Sequence, residues 1–213
     1  MATTLQDILL DSAAFIDLEA TLPTGEELAS RIRYANLAVR EAANISIFPE
    51  LSMEYLVDIS TLASISLPAN FKELEDAPAL LRGDGLWDKY EQINPRAKHE
   101  RSNSDKYSYI LGNPADGHTL ILNNPTASAT LSIQYQRNAS GMATLTDTCE
   151  LADTDYVVTK LNAYVLKARG DDKFQVIDAE ANAKLKNMIG RSQKQPSGGS
   201  GSTPKTSNFV IGE

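Results

Sequence analysis

From residue 55 to 67 apolar or small side chains recur at every second position: Tyr55, Val57, Ile59, Thr61, Ala63, Ile65 and Leu67 fall on one side, and Asp58, Ser60, Ser64 and Ser66 on the other. A period of two is that of a half-buried strand, so the stretch predicts one long strand, or two joined by a bend near 60–63. Pro68 ends it, because proline cannot donate into a ladder. Three further apolar runs, 107–111, 119–122 and 130–135, are separated by 112–117 and 123–126, which are rich in Gly, Asn and Pro. They predict a β-meander. Its last run places Leu131, Ile133 and Tyr135 on one face and Ser132, Gln134 and Gln136 on the other. Between the two β stretches, Phe71, Leu74, Leu80, Leu81, Leu86, Trp87 and Tyr90 supply apolar bulk among acidic residues and turns, and 94–106 reads as a polar, exposed loop.

On both sides of this region the period lengthens to about 3.6, that of a helix. Leu5, Ile8, Leu9, Leu10, Phe15, Ile16 and Leu18 predict a helix over 4–19, with an interruption at Asp11 and Ser12. Thr24 and Glu27 have the spacing of a capping box before a helix over 25–44. Its stripe is Leu28, Ile32, Ala35, Val39 and Ala42, with Arg31, Arg33, Arg40 and Glu41 off the line. Val157, Leu161, Val165 and Ala168, widened by Val158 and Tyr164, predict a helix over 153–169. Gly170 suits the position after its end, Asp171 can cap the next helix, and Phe174, Ile177, Ala181, Leu185 and Met188 carry that last helix to about 192. The fold class is therefore α+β. A helical bundle, made of N-terminal helices (1–50) and a C-terminal helical hairpin (151–192), carries an inserted antiparallel β domain (51–150). Helices 25–44 and 153–192 are expected to pack as one unit.

From 193 the composition changes. Residues 195–204 are Gly, Ser and Pro with little else, a flexible linker by composition, and it leads to Phe209, Val210 and Ile211. An apolar triplet on such a tether is either a disordered end or a docking peptide that orders on a partner. Segment 193–213 is thus assigned as a C-terminal docking tail.

With 213 residues the chain can bury one good core, or one core and a satellite. No apolar run reaches the roughly 18 to 20 residues that span a bilayer, and the first residues have no secretory pattern, so synthesis in the cytoplasm is expected. Cys149 is the only cysteine, which rules out an internal disulfide; it reads as a small apolar filler. His99 and His118 have no partner at a metal-ligand spacing and read as surface residues. The net charge of -8 is uneven: residues 1–152 hold 21 acidic against 11 basic side chains, residues 153–213 hold 7 against 9. An acidic body lacks the concentrated phosphate contacts of a nucleic-acid binder, although DNA sliding past it is compatible with the charge. Arg82-Gly83-Asp84 reads as a turn, and the sequons at Asn44 and Asn138 are inert without a secretory route. Paired carboxylates at 153 and 155, and at 171 and 172, fall where helix N-termini are expected. No catalytic group, cofactor-binding residue or metal site is assigned.

The order of these features resembles a known family. The N-terminal helices, the alternating strand closing on Leu67-Pro68-Ala69-Asn70-Phe71, the strand end Tyr109-Ile110-Leu111-Gly112, the run Thr119-Leu120-Ile121-Leu122, the strand Ile133-Gln134-Tyr135 and the closing hairpin look like head-to-tail adaptor (connector) proteins of tailed bacteriophages. The chain is also similar in outline to podovirus tail tubular proteins. The likeness covers about residues 3–192; Asn70 stands where the family usually carries Asp. It implies a virion protein without enzymatic activity. Such a protein forms a ring, commonly twelvefold, beneath the portal, and joins capsid to tail. Its partners are the portal protein, downstream tail or nozzle proteins and further copies of itself; DNA passes through its channel without specific binding. The different class that remains open is a cytoplasmic enzyme or small-ligand binder with a site at the β insertion and the 94–106 loop, and a free-standing interaction module is a third.

Overall fold

In the computed structural model the described residues are 3–59, 64–81, 83, 85–125 and 129–192. Among them four α-helices, α1 (Leu5–Ile16), α2 (Gly25–Ile45), α3 (Thr154–Ala168) and α4 (Phe174–Ser192), flank nine strands, so the class is α+β. Helix α1 continues through Asp11 and Ser12. Ser12 is fully buried and its hydroxyl donates to Asn162 Oδ1 of α3 at 2.7 Å, which satisfies a polar group that the sequence pattern reads as a break. The capping box expected at Thr24 is also displaced. Thr24 makes no side-chain cap, and the Glu27 carboxylate, which a box would turn to the Thr24 amide, accepts from Arg31 and Arg169 instead. The box forms instead at Thr4 and Asp7 of α1, where the Thr4 amide donates to Asp7 Oδ2 at 2.9 Å and the Asp7 amide to Thr4 Oγ1 at 3.2 Å.

Helix α3 is the hub, and α1, α2 and α4 all pack on it. Its expected stripe is buried at Val157, Leu161 and Val165, yet Thr159, Lys160 and Asn162 are buried as well. The polar residues sink because each finds a partner: the Thr159 hydroxyl donates to the Asp155 carbonyl, Lys160 pairs with Asp178, and Asn162 accepts from Ser12. At the α3 end the backbone follows the sequence. Gly170 adopts φ +72, its amide donates to the Lys167 carbonyl and the Asp171 amide to the Leu166 carbonyl, the paired bonds of a left-handed helix stop. Leu5, Leu9, Ala35, Val39, Phe48, Leu51, Met142, Cys149, Leu161, Ala181 and Leu185 belong to one continuous apolar cluster around α3.

The 55–67 alternation is divided between β1 (Ser52–Ile59) and β2 (Ser64–Ser66), which lie in different sheets; the bend expected near 60–63 lies outside the described residues. Phe71, Leu80 and Trp87 belong to strands that the sequence pattern does not predict, β3 (Phe71–Leu74), β4 (Ala79–Leu81) and β5 (Trp87–Lys89). Each is only three or four residues long, too short to display a period. The next strands are β6 (Glu91–Gln92), β7 (Tyr107–Asn113), β8 (Gly117–Leu122) and β9 (Ala129–Arg137), and a 3-10 helix, Pro95–Glu100, fills much of the expected loop.

The meander is not formed. Strands β7 and β8 make a hairpin in one sheet, ordered β2-β8-β7-β6, whereas β9 leaves it to become the centre of the other, ordered β1-β9-β4-β5 with β3 also on β9. The two-residue β6–β7 pair is parallel, so the β part is not wholly antiparallel. The physical reason for the split lies in β9. Leu131, Ile133 and Gln136 are fully buried and Ser132 nearly so, which requires strands on both edges and cover on both faces. Position at the end of a three-strand ribbon would leave one edge open. Both sheets contribute to a second apolar cluster that includes Ile65, Leu120 and Leu122 from one sheet and Ile59, Leu80 and Leu131 from the other.

The β7–β8 turn gives a sharp test. Gly112 has φ +101, and a Cβ there would lie 2.1 Å from the Gly117 carbonyl oxygen; Gly117 has φ +89 with open space around it. Gly117→Ala is expected to cost about 1–2 kcal/mol through backbone strain alone, and Gly112→Ala about 1 kcal/mol more because the hairpin backbone must also move. Urea unfolding of the two variants checks the order; equal losses would contradict it.

Candidate functional site

Arg31, off the apolar line of α2, is not on a solvated face. It is 1% exposed. Its Nη2 donates to Asp17 Oδ2 at 2.5 Å, at the end of α1, and to Glu27 Oε1 at 2.6 Å, one turn back on α2. Arg169, at the end of α3, donates to the same two carboxylates at 2.8 Å each. Three helix ends are thereby tied by two guanidinium and two carboxylate groups. Burial works against ionisation of Asp17, but the hydrogen bonds and charges of Arg31 and Arg169 outweigh it and hold the carboxyl below its usual range. The Glu27 carboxyl is lowered first by the Arg31 hydrogen bond, and the Arg169 guanidinium is held more firmly protonated first by its bond to Asp17. The Glu27–Arg31 spacing of four residues was visible in the sequence. The contribution of Arg169, 142 residues from Glu27, was not. A groove of about 270 Å³ runs beside this cluster, between α2 and the end of α3.

A second polar set lies deeper. Lys160 Nζ is 2.7 Å from Asp178 of α4 and 3.6 Å from Glu41 of α2, and it sits 5.4 Å from the centre of the Tyr164 ring. Burial, reinforced by the Glu41 and Asp178 carboxylates, pushes the Tyr156 and Tyr164 phenols well above their ordinary value, so both stay neutral. Chemically this arrangement holds three helices in register.

A larger groove of about 570 Å³ opens where α4 ends, between the turn Pro49–Leu51, the start of α3 and the last turn of α4. Asp153, the N-cap residue of α3, makes no side-chain cap there and stands 3.5 Å from Arg191.

The residues singled out from sequence are scattered. Phe209, Val210 and Ile211 lie outside the described residues, as do Arg82 and Asp84. Cys149 is buried in the cluster around α3, and burial raises its thiol pKa, the setting of an inert filler. His99 is exposed, but His118 is half-buried, edge-on to Phe71 at 5.3 Å, with Nδ1 buried. Among the described residues no three His, Cys, Asp or Glu side chains are grouped to hold a metal ion, and no helix is long and apolar enough to cross a membrane. Asn70, at the position that departs from the adaptor pattern, accepts a hydrogen bond from the Tyr135 hydroxyl at 3.2 Å.

The outer surface carries large apolar side chains that are exposed among the described residues. Phe15 is 52% and Leu18 88% exposed at the end of α1; Ile45, Leu56, Leu86 and Trp87 are also exposed. Leu18 occupies the position after the α1 C-cap with φ +61, a conformation for which glycine is the usual choice. No protein-family model matches the chain, and no curated protein matches it.

Proposed function

We propose that this protein is a head-to-tail adaptor of a tailed bacteriophage: a non-enzymatic ring subunit seated beneath the portal that joins capsid to tail and encloses the DNA channel. In this reading the helical bundle meets the portal, and the tail at 193–213 crosses to the portal or to a neighbouring subunit. The order of elements along the chain resembles that family, and the acidic body suits a lumen that must let phosphates pass without holding them.

The observation that carries the reading is Leu18. A left-handed backbone costs a branched apolar residue about 1 kcal/mol, and nothing among the described residues repays it, since the side chain is 88% exposed. Strain held at a surface apolar residue is best explained by a contact with another molecule. With Phe15 beside it, Leu18 supplies one patch of a subunit contact, and Leu86 with Trp87 on the β part supplies a different one; ring contacts of the head-to-tail kind need two unlike patches.

Full-length protein added to DNA-filled, tail-less capsids should appear by electron microscopy as a ring at the portal vertex. Failure of any ring to form there would overturn the proposal. Leu18→Gly should stabilise the isolated subunit by about 0.5–1 kcal/mol and weaken ring formation, measured by mass in solution. Loss of residues 196–213 should leave the fold intact and abolish attachment.

A further inference from the structure

We propose that in the free subunit the segment 205–211 of the same chain docks in the groove at the end of α4, with Phe209, Val210 and Ile211 against its apolar wall. The groove is built from Phe48 and Met188 on its apolar side and Glu50, Asp153 and Asp155 on its acidic side. Ser192, the last described residue, is itself in the wall, so the remaining chain starts at the rim.

Length, charge and polarity each favour this occupant. Residues 193–204 form a Gly- and Ser-rich connection whose mean span is on the order of 17–21 Å, enough to turn back into a groove that begins beside it. A short connection of that kind keeps the triplet at an effective concentration of about millimolar, which no separate molecule matches at ordinary concentrations. Lys205 precedes the triplet and complements the acidic side, where among the described residues Arg191 stands near Asp153. The first turn of α3 has amide groups with no side-chain cap, and the oxygens of Ser207 and Asn208 are acceptors of the type that such amides take. For an apolar triplet that binds with a Kd of roughly 0.1–1 mM, this effective concentration fills the groove about half to nine tenths of the time. The inference concerns the isolated subunit and does not rest on the adaptor reading; if that reading holds, the same segment leaves the groove on assembly.

The test uses full-length protein with the methionine methyl groups labelled with carbon-13. Met188 is a groove wall, whereas Met53 and Met142 are elsewhere. Replacing Phe209→Ser, Val210→Ser and Ile211→Ser together should move the Met188 signal, leave those of Met53 and Met142, and speed amide exchange in the first turn of α3 by about two- to tenfold. An unmoved Met188 signal with unchanged exchange overturns the proposal. Dilution of the unaltered protein over about two decades should leave the Met188 signal in place, as expected for an intramolecular contact. A signal that reverts on dilution would assign the groove to a neighbouring copy and overturn docking within the chain. No capsid or portal is present, so the result is separate from that of the ring experiment.

Discussion

Replacing Asp17→Asn and Glu27→Gln together will cost about 3 kcal/mol, whereas Arg31→Met will cost less than about 1 kcal/mol. The asymmetry arises from which partner is buried. Arg31 is 1% exposed, and among the described residues its Nε and Nη1 are buried without hydrogen-bond partners while Nη2 is bonded. Without the carboxylates a buried cation is left uncompensated beside a second one, Arg169. Without the cation, Asp17 and Glu27 lose less, because their side chains are 34% and 49% exposed and each still has Arg169 at 2.8 Å. A methionine of similar length also removes the two unsatisfied buried donors. Urea unfolding at neutral pH decides the matter: if Arg31→Met proves as costly as the double change, the cluster is not dominated by the desolvation of Arg31. The pH dependence carries its own sign. Both carboxyls are depressed in the folded state, so their contribution is complete above the unfolded-chain pKa of about 4 and is lost as pH falls through the folded values. Below about pH 4 the unaltered protein should therefore lose stability more steeply than the double variant.

The helices were legible because they advertise themselves over long windows. The α4 residues Ala181, Leu185 and Met188 are its buried ones, and Gly170 stops α3 where the sequence places the stop. What the pattern misread were polar residues that find partners far away in sequence. Ser12 resembled a break and Lys160 had no place in the expected stripe, yet Asn162 and Asp178 satisfy them in the interior. Periodicity reports the average environment of a face and not the pairing of one buried group. The Glu27 carboxylate was likewise turned away from the expected box, towards Arg31 one turn on and Arg169 far along the chain. In the β part, the strand runs 107–113 and 117–122 were adjacent in sequence and paired, but β9 took β1 across more than seventy residues, Leu56 opposite Ser132. Adjacency is only a tendency, and the burial of both faces of β9 overrode it. The grooves were illegible, since each is made by ends of elements distant in the chain.

Leu131→Ala and Leu161→Ala will each cost about 2–5 kcal/mol, but the damage will stay in different places. Both leucines are fully buried, Leu131 at the middle of β9 and Leu161 on α3. Their apolar clusters have no residue in common. Links between the β part and the helices include polar contacts: the Lys72 ammonium donates to the Ala43 carbonyl at the end of α2 at 2.5 Å, and Arg137 of β9 pairs at 2.7 Å with Glu150 in the segment that leads into α3. Ion pairs that keep some contact with water transmit little stability, whereas a cavity in a packed cluster is felt by every side chain lining it. Leu131→Ala should therefore accelerate amide exchange in β1, β4 and β9, where Val57 and Leu80 stand opposite it, and leave α3 protected. Leu161→Ala should do the reverse, loosening α1, α2 and α4 through the hub they share while β9 keeps its protection. Equal loss of protection in both regions for either variant would mean that the polar links couple the two cores into one cooperative unit, and that helices and sheets unfold together.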